Sequence, residues 1–120
     1  MIFEYWKNVP NYPGYQVSSL GNARTIDRKI VDSRGAVRKL KGQSLRLMDR
    51  ANGYVCIRMS IASKIDKVNM HRMIYSLFIG PLITGLIIMH RNNDKTNNSV
   101  LNLYQGTYHE NRIHYLYGVL

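Results

Sequence analysis

Nine consecutive polar residues, Arg91-Asn-Asn-Asp-Lys-Thr-Asn-Asn-Ser99, separate two short apolar runs, and no other stretch limits the fold so tightly. They carry too many hydrogen-bonding groups to be buried and must form a surface loop. The run before them, Leu86-Ile-Ile-Met89, is too short for a helix and reads as an apolar strand that delivers His90 into the loop. The chain returns through Val100-Leu-Asn-Leu-Tyr104, and Thr107-x-x-Glu110 is a capping box opening a helix over Tyr108 to Tyr117. Asn111 then falls on the first turn of that helix. Strand, loop, return and helix predict a hairpin-plus-helix unit with His90 and Asn111 facing each other across a cleft.

Upstream, the period is that of strands. Asn11, Pro13 and Gly14 make a turn before Tyr15-Gln-Val-Ser-Ser-Leu-Gly21, in which Tyr15, Val17 and Ser19 share one face. Leu45 to Met48 and Tyr54 to Ile61 flank Ala51-Asn52-Gly53, and Asn-Gly between alternating residues predicts a hairpin. From Asn69 the period becomes helical: Met70, Met73, Ile74, Leu77 and Phe78 lie on one stripe, with Asn69 as N-cap and Gly80-Pro81 as the stop. That Met-rich stripe is core and requires no cofactor. The fold class expected is α+β.

Charge narrows the partner. With 17 Lys and Arg against 7 Asp and Glu, the 120 residues carry a net charge of +10, which points to a polyanion. Residues 22 to 50 hold Arg24, Arg28, Lys29, Arg34, Arg38, Lys39, Lys41, Arg46 and Arg50 against Asp27, Asp32 and Asp49. Gly35 and Gly42 interrupt this segment, and its spacing suits short strands rather than a membrane-surface helix, so nucleic acid is favoured over an acidic membrane. The longest apolar stretch, Leu82 to Met89, is broken by Thr84 and Gly85 and is far short of the ~20 residues that cross a bilayer. Met1 to Lys7 lacks the basic and apolar regions of a signal peptide, so an unexported, cytoplasmic protein is expected. The single cysteine, Cys56, forms no internal disulfide and no thiolate zinc site, which restricts any metal to N and O ligands.

The run Met89-His-Arg-Asn-Asn-Asp-Lys-Thr-Asn-Asn-Ser-Val-Leu-Asn-Leu103, followed by Gly106-Thr-Tyr-His-Glu-Asn111, resembles the ββα-metal motif of phage HNH homing endonucleases. Val68-Asn-Met-His-Arg-Met-Ile-Tyr-Ser-Leu-Phe-Ile79 is similar to the helix preceding that motif. Trp6-Lys-Asn-Val-Pro with Tyr15-Gln-Val-Ser-Ser-Leu-Gly-Asn-Ala-Arg24 is similar to the nuclease-associated N-terminal DNA-binding motif that accompanies it. The resemblance implies small antiparallel β-hairpins followed by a ββα-metal (HNH) unit, with residues 1–44 as a basic DNA-binding module and 45–120 as the nuclease module. It implies that His90 is the general base for phosphodiester hydrolysis and that Asn102 braces the loop that orients it. Asn111 would offer its amide oxygen to one divalent cation, Mg²⁺ or Mn²⁺. Arg91 and Lys95 would lie beside the DNA backbone, and Arg24, Arg28, Lys29, Arg38 and Lys41 supply the basic contacts of the N-terminal segment. The expected partner is double-stranded DNA, with no membrane; a homodimer or protein partner is compatible but not required. One active site breaks one strand, so a monomer should nick.

The chain departs from the family pattern at the residue before the base, where Asp or Asn usually ligates the metal and Met89 stands here. A thioether is a poor ligand for a hard cation. Asn92 likewise replaces a common Asp. Two readings follow, a working endonuclease or a weakened or inactive relative that binds DNA, and retention of base, brace and helix ligand favours the first. His71 is expected to be structural, His109 and His114 are spaced five apart and form no helical zinc pair, and Asn97 and Asn98 are read as turn and capping residues. With the sequence ending at Leu120, specificity is expected to come from the N-terminal segment or a partner.

Overall fold

The computed structural model describes residues 3–117, so the expectation tied to the end at Leu120 lies outside the described residues. The fold is α+β, as the sequence predicts. β1 (Trp6–Asn8), β2 (Tyr15–Ser18) and β3 (Ala23–Thr25) form an antiparallel sheet in that order. Val17 and Ser18 at its centre are fully buried. β4 (Arg28–Val31) and β5 (Val37–Leu40) then make a separate two-stranded hairpin. None of their residues belongs to the buried core.

β6 (Met48–Asp49), β7 (Val55–Ile61) and β8 (Lys64–Asn69) form the central sheet. Gly53, at φ +86°, takes the left-handed position of the β6–β7 turn, as the Asn-Gly dipeptide predicts. The expected arm over Leu45 to Met48 is shorter than the sequence suggests: only Met48 and Asp49 pair with β7, while Leu45 and Leu47 pack against the core. β8 has no counterpart in the sequence reading. Its turn uses Ala62 and Ser63, both left-handed at φ 48° and 67°, where no glycine or asparagine announces it.

α1 (Met70–Phe78) follows β8 directly and buries Met70, His71, Met73 and Ile74. Asn69 occupies the N-cap position, but its side chain makes no capping bond and its Oδ1 is buried without a partner. β9 (Ile87–His90) and β10 (Leu103–Gly106) pair antiparallel, joined through the polar loop and a 3-10 turn at Val100–Asn102, and α2 (Tyr108–Tyr117) closes the described chain.

One apolar cluster joins these pieces. Val9, Tyr15, Val17 and Ala23 meet Val55, Ile57 and Met59 of β7, Met70, Met73 and Ile74 of α1, and Ile88 and Leu103 of the last hairpin. Two tyrosines add polar ties between the same regions: the Tyr12 hydroxyl donates to Asp66 Oδ2 at 2.6 Å, and the Ser60 amide donates to the Tyr15 hydroxyl at 3.1 Å. The core therefore runs across residue 44. The radius of gyration, 16.5 Å, exceeds the ~14 Å of a compact chain this long, and the longest axis is 58 Å. Among the described residues no helix is long and apolar enough to cross a membrane.

Candidate active site

The polar loop is ordered by its own side chains. Asn92 Oδ1 accepts from the Asp94 amide at 2.9 Å, Asp94 Oδ1 from the Thr96 amide at 3.0 Å, and Asn97 Oδ1 from the Ser99 amide at 3.3 Å. Asn102 clamps both ends of the loop. Its Nδ2 donates to Asn92 Oδ1 at 2.9 Å and to the Asn97 carbonyl at 2.8 Å, while its Oδ1 accepts from the Asn92 amide at 3.2 Å. Its own carbonyl accepts from the Arg91 amide at 2.8 Å.

His90, the last residue of β9, is 5% exposed, and its Nε2 lies 2.8 Å from Oδ1 of Asn98, itself 2% exposed. With the Asn98 amide in this orientation, its Nδ2 buried without a partner, the imidazole donates from Nε2 and Nδ1 is the nitrogen left to accept. Asn98 is the partner of His90 that sequence reasoning missed, having been read as a turn or capping residue. Asn102 has no direct bond to His90; it holds the loop from which Asn98 reaches back. The usable sign in the sequence is that a loop whose ends meet on one hairpin returns its last asparagines to the residue where it began.

A second imidazole stands behind the first. The rings of His71 and His90 are 5.6 Å apart, His71 stacks on Tyr54 at 4.6 Å and 13°, and Tyr54 is 6.2 Å from His90. Burial, then the charges of His90 and Arg72, hold His71 down to about 4. Burial also lowers His90 from the usual imidazole range, against the opposing effects of the Asn98 bond and Asp94 and with a further lowering from Lys95. Both rings are therefore neutral at cellular pH, the state in which a histidine accepts a proton.

A pocket of about 210 Å³ opens beside His90, lined by Tyr54, Ile87, Ile88, Met89, His90, Asn93, Lys95, Asn111 and Tyr115. It brings together His90, Asn111 and Lys95. Lys95 is anchored, its Nζ donating to the Asn52 carbonyl at 3.0 Å and lying 4.7 Å from the Tyr54 ring centre. Arg91 is outside this lining, its guanidinium 4.9 Å over Tyr104. α2 carries Asn111 to the pocket because it is fixed at two points. The Glu110 amide donates to Thr107 Oγ1 at 3.1 Å, and His114 Nε2 donates to the Arg91 carbonyl at 2.6 Å. Thus His114, 4% exposed, ties the helix to the residue after His90.

Met89 is 3% exposed and forms part of the pocket wall. A Cβ added at Gly106 would lie 2.6 Å from its methyl and 2.7 Å from Glu110 Oε2, so the glycine makes room for both. Among the lining residues the side-chain oxygens belong to the amides of Asn111 and Asn93 and the hydroxyls of Tyr54 and Tyr115, with no carboxylate. Among the described residues no three His, Cys, Asp or Glu side chains cluster as a metal cage. This donor set fits a hard cation that keeps several waters and takes further oxygens from a phosphate, which is the usual habit of Mg²⁺.

The basic residues of the N-terminal segment lie apart from the pocket. Arg24 stacks over Trp6 at 3.9 Å and donates from Nε to Gln16 Oε1 at 2.9 Å. Arg28 lies 5.7 Å from the Tyr15 ring, while Lys29, Arg38 and Lys41 are exposed. Among the described residues none of these five forms an ion pair; the pairs are Arg34 with Asp32 and Lys64 with Asp66.

Comparison with known proteins finds two family models along the chain. The NUMOD4 motif matches residues 4–60, and the HNH endonuclease family matches residues 68–113. No curated protein matches. A solved structure described as "DNA binding and cleavage by the HNH homing endonuclease I-HmuI" is similar over 97% of this chain at 25% identity, with a TM-score of 0.73. The chain spans 60% of that protein's length. With both motifs in order and a similar fold around them, the chain is similar to HNH homing endonucleases and carries an HNH endonuclease segment at residues 68–113.

Proposed function

We propose that the protein is a metal-dependent DNA endonuclease of the homing type, hydrolysing one phosphodiester strand per active site and therefore nicking duplex DNA. The observation that carries this reading is the buried His90–Asn98 bond at the edge of a pocket that also holds Asn111 and Lys95. His90, neutral and with its proton fixed on Nε2, takes the proton of the attacking water at Nδ1. Lys95, anchored at Asn52, meets the scissile phosphate with a charge that needs no ordering at the moment of reaction. Asn111 is the residue that would hold the divalent cation, Mg²⁺ or Mn²⁺; when bound, that ion supplies the electrophile that draws charge from the phosphate and the departing oxygen. Asn102 keeps loop and base in register, and Arg91 and the residues 1–44 module, through Arg24, Arg28, Lys29, Arg38 and Lys41, bind the duplex backbone. Residues 45–120 carry the chemistry. A buried, unpaired Cys56 suits a reducing, cytoplasmic setting.

One observation favours a second reading. Met89 is buried where relatives place a metal ligand, and no carboxylate lines the pocket, as in a weakened nuclease that still binds DNA. Incubation with supercoiled plasmid and Mg²⁺ or Mn²⁺ decides between them. A working enzyme yields relaxed circles, and EDTA, His90→Ala or Asn111→Ala each abolishes the conversion. Plasmid that is bound and left supercoiled supports the second reading, and full metal-dependent activity in His90→Ala contradicts the assigned base.

A further inference from the structure

The β4–β5 hairpin has two unlike faces. Its register pairs Arg28 with Leu40, Lys29 with Lys39, Ile30 with Arg38 and Val31 with Val37. Side chains alternate along a strand, so Arg28, Ile30, Arg38 and Leu40 share one face and Lys29, Val31, Val37 and Lys39 the other. Arg28 and Leu40 are half-buried and line a cleft against the body with Tyr15 and Ile61. On the second face all four residues are exposed, Val31 at 68% and Val37 at 63%.

That second face is costly for an isolated protein. Two lysines directly across a ribbon repel each other, and two bare valines beside them leave apolar surface in water. The hairpin's end is held rather than loose: Asp32 Oδ1 accepts from the Arg34 and Ala36 amides, both at 2.9 Å, and Gly35 takes the left-handed turn position at φ +82°. A cation pair beside an apolar pair on one face fits a surface that sets anionic groups next to an exposed apolar one. The major groove of DNA has that character. It is ~12 Å wide and admits a two-stranded ribbon, its walls are phosphates, and its apolar group is the C5-methyl of thymine, whereas the ~6 Å minor groove excludes a ribbon.

We infer that Val31 and Val37 contact thymine methyls in the major groove while Lys29 and Lys39 neutralise the flanking phosphates, which makes this face a determinant of sequence preference. The inference rests on the DNA-binding reading above and deepens it.

The test is equilibrium binding of the full chain, in EDTA so that nothing is cut, to alternating dA·dT duplex and to alternating dA·dU duplex. The two carry the same phosphates and differ in the methyl group. The protein should bind dA·dT about tenfold more tightly, at ~0.8 kcal/mol for each of two buried methyls. Val31→Ser/Val37→Ser should bring that ratio to about one with the salt dependence kept. Lys29→Gln/Lys39→Gln should keep the ratio and flatten the slope of log K against log salt by about 2. Equal affinity of the unaltered protein for both duplexes, or a ratio that survives the valine substitutions, overturns the methyl contact while leaving DNA binding intact. Absence of salt-dependent binding to either duplex overturns the DNA-binding reading itself.

Discussion

The loop between β9 and β10 and the hairpin of β4 and β5 are both polar, yet the structure treats their polar groups in opposite ways. In the loop unit, His90, Asn98, Asn102 and His114 are each less than a tenth exposed, and hydrogen bonds fix them to one another or to backbone. In the hairpin, Lys29, Arg38 and Lys39 are exposed and form no ion pair among the described residues. A base must be dry, neutral and held in one tautomer, because its rate contribution depends on geometry and on a pKa near the working pH. A surface for a polyanion works better solvated, since its affinity comes from releasing counterions along the duplex. On the proposed function the difference separates cutting from holding, and substitutions in the two regions should fail in different ways.

Among substitutions that leave His90 and Asn111 in place, the largest effect is expected at Asn102. Asn102→Ala removes three side-chain bonds that clamp both ends of the loop, and a base displaced by about an ångström loses roughly 10²-fold in rate. Single-turnover nicking should fall by about that factor, unfolding should become easier by about 2 to 3 kcal/mol, and DNA affinity should stay unchanged. Loss of affinity to the same degree would blur the separation of the regions. Met89→Asp should follow, raising Mg²⁺ affinity about 10- to 100-fold by calorimetric titration. Because Met89 is 3% exposed and near Glu110, the new carboxylate should also lower the melting temperature. An unchanged metal affinity would make Met89 wall alone.

The third effect is one of pH. His71 stays neutral in the folded protein down to about 4, whereas the unfolded chain takes up the proton near 6.5. Stability should therefore be full above pH 6.5 and fall by about 3 kcal/mol as pH drops to 4. His71→Phe keeps a ring against Tyr54 and should flatten that dependence in denaturant titrations. Persistence of the full slope would assign it to other groups.

The order of the last elements was legible because the polar loop and the capping box are local signals, and α1 was legible because a 3.6-residue stripe of Met and Ile is a strong one. Three features were not. β8 was hidden because Ala62 and Ser63 make a left-handed turn without the residues that normally mark one. The Asn98 and His114 contacts join residues 8 and 23 apart, and such pairings depend on how loop and helix fold back. The burial of Met89 follows from the close approach of β10 at Gly106, which a sequence does not display.

The separation of cutting from holding is tested most directly by measuring DNA affinity and single-turnover nicking on the same preparations of two variants, His90→Ala and Arg28→Gln/Lys29→Gln/Arg38→Gln/Lys41→Gln. His90→Ala should bind duplex DNA with unaltered affinity and salt slope and cut nothing. The hairpin variant should bind more weakly, with its slope reduced by about 3 to 4, and nick at the normal rate once protein is saturating. A hairpin variant of undiminished affinity, or a His90→Ala protein that still cuts with its metal, would contradict the division of labour between the two regions.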